Sequence, residues 1–213
     1  MARNLRLIES LWRYGMGGNL ARFGCNLTRS VYLTLGGMKK ETLAGAMITA
    51  REVAARDWQI WRDLRFAALR ESPNAFGETL EHAMARPESE WIRLAVAPKD
   101  STLRPLLVEH DGRPVGIALV ELEMPRAKLY AMWVAPEARR LGAGGALVAT
   151  AIQVATAASA TELVLRVSET QPEAFSLYRK YGFLEAGDRE PLRDGSEVQA
   201  QTMSCLLRSR YAA

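Results

Sequence analysis

An α+β fold built on one central mixed, mostly antiparallel sheet is the architecture that this 213-residue sequence predicts. Three observations carry that expectation. Patterned segments follow the order strand, helices, three strands, helix, strand, helix, two strands. The apolar period changes from helical to two after Pro98. Between two of the alternating runs sits Asp111-Gly112, a strong hairpin signal because both central residues of such a turn take positive φ.

The patterned body begins at Met47, and residues 48–53 read as a short strand. Asp57 is placed to cap a helix in which Trp58, Trp61, Leu64 and Ala68 recur at helical spacing up to Glu71, where Ser72-Pro73 stops it. A tryptophan stripe of this kind belongs to a core. Residues 74–84 predict a second, shorter helix, and Pro87 opens a third that runs through Trp91, Leu94 and Ala95. Strands are expected at 106–110 and 114–123 around the Asp-Gly turn, with a third at 127–134. A glycine-rich loop leads into a helix ending near 158, with Leu147, Val148, Ala151, Ile152 and Ala155 on one face. A strand at 162–167, a helix at 173–181 ended by Gly182, and strands near 184–188 and 199–207 complete the order. There is no internal repeat.

Composition narrows the class. The chain is 48% hydrophobic and 24% charged, ordinary for a soluble globular protein. Its net charge of +4 is unevenly placed: residues 1–46 hold seven basic against two acidic residues, and the rest 21 against 22. The main body is therefore no polyanion binder by bulk charge, and nucleic acid is not an expected partner. Residues 1–46 also carry seven of the 16 glycines, and are read as a basic, Gly-rich extension, disordered or loosely attached, before a domain at 47–213. Its arginines resemble those of a targeting peptide, but it lacks the continuous apolar core of a secretory signal. The uncharged stretch 142–161 is long enough to span a bilayer, yet its apolar residues form one stripe, so no membrane span is expected. Two cysteines, Cys25 and Cys205, with two histidines, His82 and His110, make no metal-ligand cluster. The expectation is a cytoplasmic protein without a metal, a monomer or homodimer.

The most chemically specific stretch is 129–145, LYAMWVAPEARRLGAGG. It reads as a strand, a proline turn, two arginines and three glycines opening a helix. Such a loop either grips a phosphate with bare N–H groups or is a corner with glycines for close packing. A dinucleotide fingerprint fails, because Leu147 stands where the third glycine is needed and the loop follows a meander. A P-loop fails for want of a Lys-Ser/Thr pair. What survives is Arg139-x-x-Gly142-x-Gly144 behind Val134-x-Pro136.

That pattern resembles the acyl-CoA-binding signature of the GNAT superfamily of N-acetyltransferases. Downstream, Ala174-x-x-Leu177-Tyr178-x-x-x-Gly182-Phe183 is similar to the family's terminal motif, and the two lie at the family's usual separation. The resemblance covers about residues 47–207 and implies a three-layer α/β/α fold around the mixed sheet. It implies acetyl-CoA as acyl donor and an amine as acceptor. The pyrophosphate would be held by the loop Leu141, Gly142, Ala143, Gly144 and Gly145, helped by Arg139 and Arg140. The pantetheine arm would run along Met132, Trp133 and Val134, one of whose N–H groups would serve as oxyanion hole. Tyr178 would protonate the departing thiolate, since a phenol is neutral at physiological pH. Two positions depart from the family. Gln171 stands where asparagine often contacts the coenzyme, and 127–129 lacks the glutamate that often helps deprotonate the amine. Glu121, Glu123 and Glu169 are the alternative bases, with a water chain as another. Direct transfer is expected, because Cys25 lies outside the body and Cys205 falls on a core face. Residues 74–84 and 121–126 should line the acceptor side, where Glu78 and Glu81 would suit a cationic amine. The competing reading is a non-catalytic acyl-CoA-binding sensor.

Overall fold

The computed structural model describes residues 47–95 and 101–207. The expectations for residues 1–46, Cys25 among them, lie outside the described residues. Seven strands form one sheet in the order β1-β2-β3-β4-β5-β7-β6. They are β1 (Ile48–Glu52), β2 (Leu103–His110), β3 (Arg113–Glu123), β4 (Arg126–Val134), β5 (Glu162–Ser168), β6 (Leu184–Pro191) and β7 (Gln199–Leu206). Every neighbouring pair is antiparallel except β4 and β5. The Asp111-Gly112 turn takes φ values of 50° and 75°, as its sequence predicts.

Helices cover both faces. On one side lie α1 (Trp58–Glu71), α2 (Leu80–Ala85) and α3 (Glu88–Ala95). Their core joins Trp61, Leu69 and Trp91 to Leu107, Ile117, Leu119 and Trp133 of the sheet. On the other side lie α4 (Ala143–Ala157) and α5 (Pro172–Lys180), packing Leu147, Val148, Ala151 and Tyr178 onto Leu106, Val120, Leu129 and Leu165. The result is the α/β/α sandwich expected of the sequence, with Ile152 only partly buried at the stripe's edge.

Three local expectations change. The helix of 74–84 shrinks to six residues, Leu80–Ala85, because Thr79 caps it, accepting from the His82 N–H at 3.3 Å, and 76–79 stays irregular. Asp57 does not cap α1 with its side chain. Its carboxylate instead accepts from Arg51 at 2.6 Å and from the Ala54 N–H at 3.0 Å. The buried face of α1 is Trp61, Arg65, Ala68 and Leu69, so a cation lies within the expected apolar stripe.

Candidate active site

A gap between β4 and β5 positions everything else. Their parallel pairing runs from Arg126↔Glu162 only to Leu129↔Leu165, although β4 continues to Val134. The closed end is pinned by the buried Glu162 carboxylate, which Arg126 approaches at 2.9 Å. Beyond Leu129 the strands part, and half of the β4 backbone loses its partner. Which half follows from the antiparallel alternation. Ala135 N–H donates to Val115 O on β3 at 2.8 Å, so the N–H and C=O of Val134, and by alternation of Met132, point away from β3 into the gap. A bulge prepares this arrangement: Ala131, at φ 53°, and Met132 together oppose Ala118, between the pairs Leu119↔Tyr130 and Ile117↔Trp133.

The glycine loop closes the end of the gap. Gly142 takes φ 99°, a left-handed conformation natural to glycine, and caps α4 without a side chain. The helical ladder starts with Ala146 N–H to Gly142 O at 3.0 Å, so the N–H groups of 143–145 have no intrahelical acceptor. With the helix dipole, they form a site for an anion. The packing alternative holds as well. A Cβ on Gly144 would lie 3.1 Å from Leu177 Cδ2 and 3.7 Å from Met132 Cε, and one on Gly145 would overlap the Tyr181 hydroxyl. Small residues are needed here on both grounds.

The predicted site residues separate into those brought together and those not. Met132, Trp133, Val134, Arg139, Arg140, Gly142, Gly144, Gly145, Gln171 and Tyr178 all line one open cleft of about 2310 Å³, and Leu141 and Ala143 do not. Gln171 precedes α5 and its side chain makes no capping bond, leaving the amide free to turn to a ligand. Arg140 is exposed, at φ 64°, beside the exposed Leu141, while Ala143 is buried. Trp133 and Arg139 line the cleft with their polar groups already engaged. The Trp133 backbone pairs with Ile117, and its indole Nε1 donates to Glu71 Oε2 at 3.0 Å. Arg139 donates to the Val134 carbonyl at 3.0 Å and to the same Glu71 oxygen at 2.8 Å. In this state Arg139 braces the loop against β4 and α1.

Tyr178 crosses the gap from α5, 7% exposed, with its ring beside Phe183. Its hydroxyl donates to the Met132 sulfur at 3.5 Å, a weak acceptor. Burial pushes its pKa well above the usual phenol value, so the proton stays on oxygen. Cys205 is buried as expected, its neighbours being core residues.

On the acceptor side the carboxylates sort by what they touch. Glu169 accepts from the Gln199 N–H at 3.0 Å, and Glu123 pairs with Lys128 at 2.7 Å. Glu81 is exposed. Glu78 is spoken for: Oε2 accepts from Arg65 Nε and Nη2 at 3.1 and 2.9 Å, and Oε1 from Arg86 at 2.5 Å. It is not available to a cationic amine. Glu121 differs, lining the cleft half-buried, with no hydrogen bond or ion pair among the described residues. Burial first, and Glu123 second, raise its pKa. The neighbouring Tyr130 also lines the cleft. Arg65 had a local signal in the sequence, as the charge on an apolar stripe. Glu71 had none, since its partners Trp133 and Arg139 lie 62 and 68 residues away.

This geometry meets its counterpart in comparisons with known proteins. Residues 58–183 match the model of the acetyltransferase (GNAT) family. The chain belongs to the GNAT acetyltransferase family. A mycothiol acetyltransferase of Clavibacter michiganensis subsp. michiganensis is 28% identical over 132 residues, which are 62% of this chain and 40% of that protein. The chain therefore matches less than half the length of that curated relative. Among solved structures, a putative acetyltransferase of Salmonella typhimurium with acetyl-CoA aligns with a TM-score of 0.64 at 15% identity, over 78% of this chain and 98% of that one. A GNAT-family acetyltransferase of Streptococcus pneumoniae gives 0.62 at 19%, over 76% and 100%. At these identities the likeness is one of fold. As a GNAT acetyltransferase, the protein carries the seven-stranded, helix-flanked α+β sandwich that its sequence predicts.

Proposed function

We propose that this protein transfers the acetyl group of acetyl-CoA directly to a primary amine. The observation that carries the reading is the parting of β4 from β5 after Leu129, which exposes backbone groups at Met132 and Val134 beneath the Tyr178 hydroxyl. The pantetheine arm, which is peptide-like, adds to β4 where β5 has left it. Its pyrophosphate rests on the N–H groups of 143–145, with the exposed Arg140 at hand. The amine nitrogen attacks the thioester carbonyl carbon, and the Met132–Val134 N–H groups receive the oxyanion. As the C–S bond breaks, the Tyr178 phenol passes its proton to the sulfur. The proton lost by the amine travels through water to Glu121, which sits opposite Lys128, five residues before Trp133 on β4. Leu129, in the stretch where the family often places its glutamate, is buried in the core and supplies no base.

A thiol-release assay with acetyl-CoA and a panel of amines tests this. Amine-dependent release with acetylated amine as product is expected. Tight acetyl-CoA binding without release for any amine establishes the sensor reading instead.

A further inference from the structure

Resting on that transferase reading, we propose that the acceptor is an amine that also carries a carboxylate, recognised by Arg65 and Arg86 beside Tyr130. Both oxygens of Glu78 are committed to Arg65 and Arg86, and Arg86 also approaches Glu90 at 3.8 Å. The charges balance, so what the cluster lacks is an acceptor for its remaining guanidinium N–H groups, not a counter-charge. Arg65 is only 5% exposed, stacks on Phe76 at 4.5 Å, and leaves Nη1 without a hydrogen-bond partner. A buried cation in that condition is expensive, and burial lowers its pKa. All four charged residues, Tyr130 and Phe76 line the cleft. Arg86 is the accessible member, with about a third of its side chain exposed and its guanidinium over Trp91 at 4.8 Å.

A substrate carboxylate supplies the missing acceptor, taking charge-assisted bonds from the guanidinium N–H groups of Arg65 and Arg86 and a hydrogen bond from Tyr130. The Tyr130 hydroxyl has no partner among the described residues. The position suits the chemistry. Tyr130 stands two residues before Met132 on β4, so a carboxylate beside it lies a short chain away from an amine at the thioester. An acceptor without a carboxylate leaves the buried Arg65 Nη1 unmet. Glu121 lies on the far side of Tyr130, opposite Lys128, and remains available for the proton.

The test uses the full chain with acetyl-CoA and a series of ω-amino carboxylates, α-amino acids, their carboxamides and spermidine. Carboxylates should exceed their carboxamides in kcat/KM by about tenfold or more. Arg86→Gln should bring that ratio close to one, through KM for the acceptor, and Arg86→Lys should restore part of it. Because Arg86 is half-exposed, the variant folds where an Arg65 variant can fail, and circular dichroism checks this. Equal or better turnover of carboxamides or spermidine overturns the proposal. Acetyl-CoA binding with no release for any amine overturns the transferase reading beneath it, which is a different failure.

Discussion

At the scale of single residues the site works by keeping protons in defined places. Tyr178 is buried and its pKa is raised, so the phenol keeps its proton at physiological pH, as the donor role proposed for it requires. Tyr178→Phe leaves the ring packed on Phe183 and removes the hydroxyl with its proton. Turnover should fall about 100-fold with acetyl-CoA affinity nearly unchanged, as steady-state kinetics and calorimetry will read; unchanged turnover removes Tyr178 from the mechanism. Glu121 is the complementary case. It accepts a proton only when ionised, so kcat/KM should fall as pH drops through its pKa, on a limb lying above the ordinary carboxylate value of about 4.3. Glu121→Gln should abolish that limb. The same shift has a stability consequence. Folding raises this pKa, so the native state holds the proton more tightly, and stability drops as pH rises from the unfolded value through the folded one. At pH 8 the Gln variant should therefore be at least as stable as the wild type in urea melts.

At the scale of elements, one strand serves two masters. β4 gives alternate side chains to the two cores, Tyr130 and Trp133 to one and Leu129, Met132 and Val134 to the other. Meanwhile its edge beyond Leu129 has no neighbouring strand, with Arg139 reaching the Val134 carbonyl. Much of this was legible in the sequence. The Asp111-Gly112 turn and the stripe of α4 rest on local rules of spacing, and they appear where those rules put them. The irregular parts were not legible, because they depend on distant partners. No local pattern says that β4 and β5 part after Leu129, that Ala131 bulges, or that Arg139 turns to Glu71. Even the second helix was overestimated, since Thr79 outcompeted the helical periodicity before it. The junction of β4 and α4 depends on Gly142 at φ 99°. Gly142→Ala forces a side chain into that region at a cost of about 1–2 kcal/mol, and it tilts the N–H groups of 143–145. A lower midpoint in denaturant together with a raised KM for acetyl-CoA is expected. A stability loss without any change in KM would assign Gly142 to packing alone.

At the scale of the whole molecule, Glu71 ties the end of α1 to the sheet and to the glycine loop. This residue ends α1 on the acceptor side, yet one oxygen collects the Trp133 indole of β4, the Arg139 guanidinium of the loop, and the Ser72 hydroxyl. Burial works to raise its pKa, but the hydrogen bonds from Arg139, Ser72 and Trp133 prevail and hold it at about 2. A depressed carboxylate contributes stability above its unfolded pKa and loses it as pH falls toward the folded value. The brace is therefore intact at neutral pH and fails in acid, between roughly pH 4.5 and 2. Its consequence is cooperative. Acetyl-CoA at about 100 times its Kd stabilises the native state by about 2.7 kcal/mol, and in the proposed binding mode its direct contacts lie on β4, α4 and α5. If Glu71 passes that stabilisation across the sheet, amide exchange should slow in 130–134 and 142–146, and also in α1, which touches no part of the coenzyme. In Glu71→Gln the amide still accepts from Trp133, but the charge that holds Arg139 is gone. Protection at β4 and the loop should then persist while the added protection of α1 is lost. Equal protection of α1 in both proteins would show that the layers are coupled through their packing and not through this carboxylate.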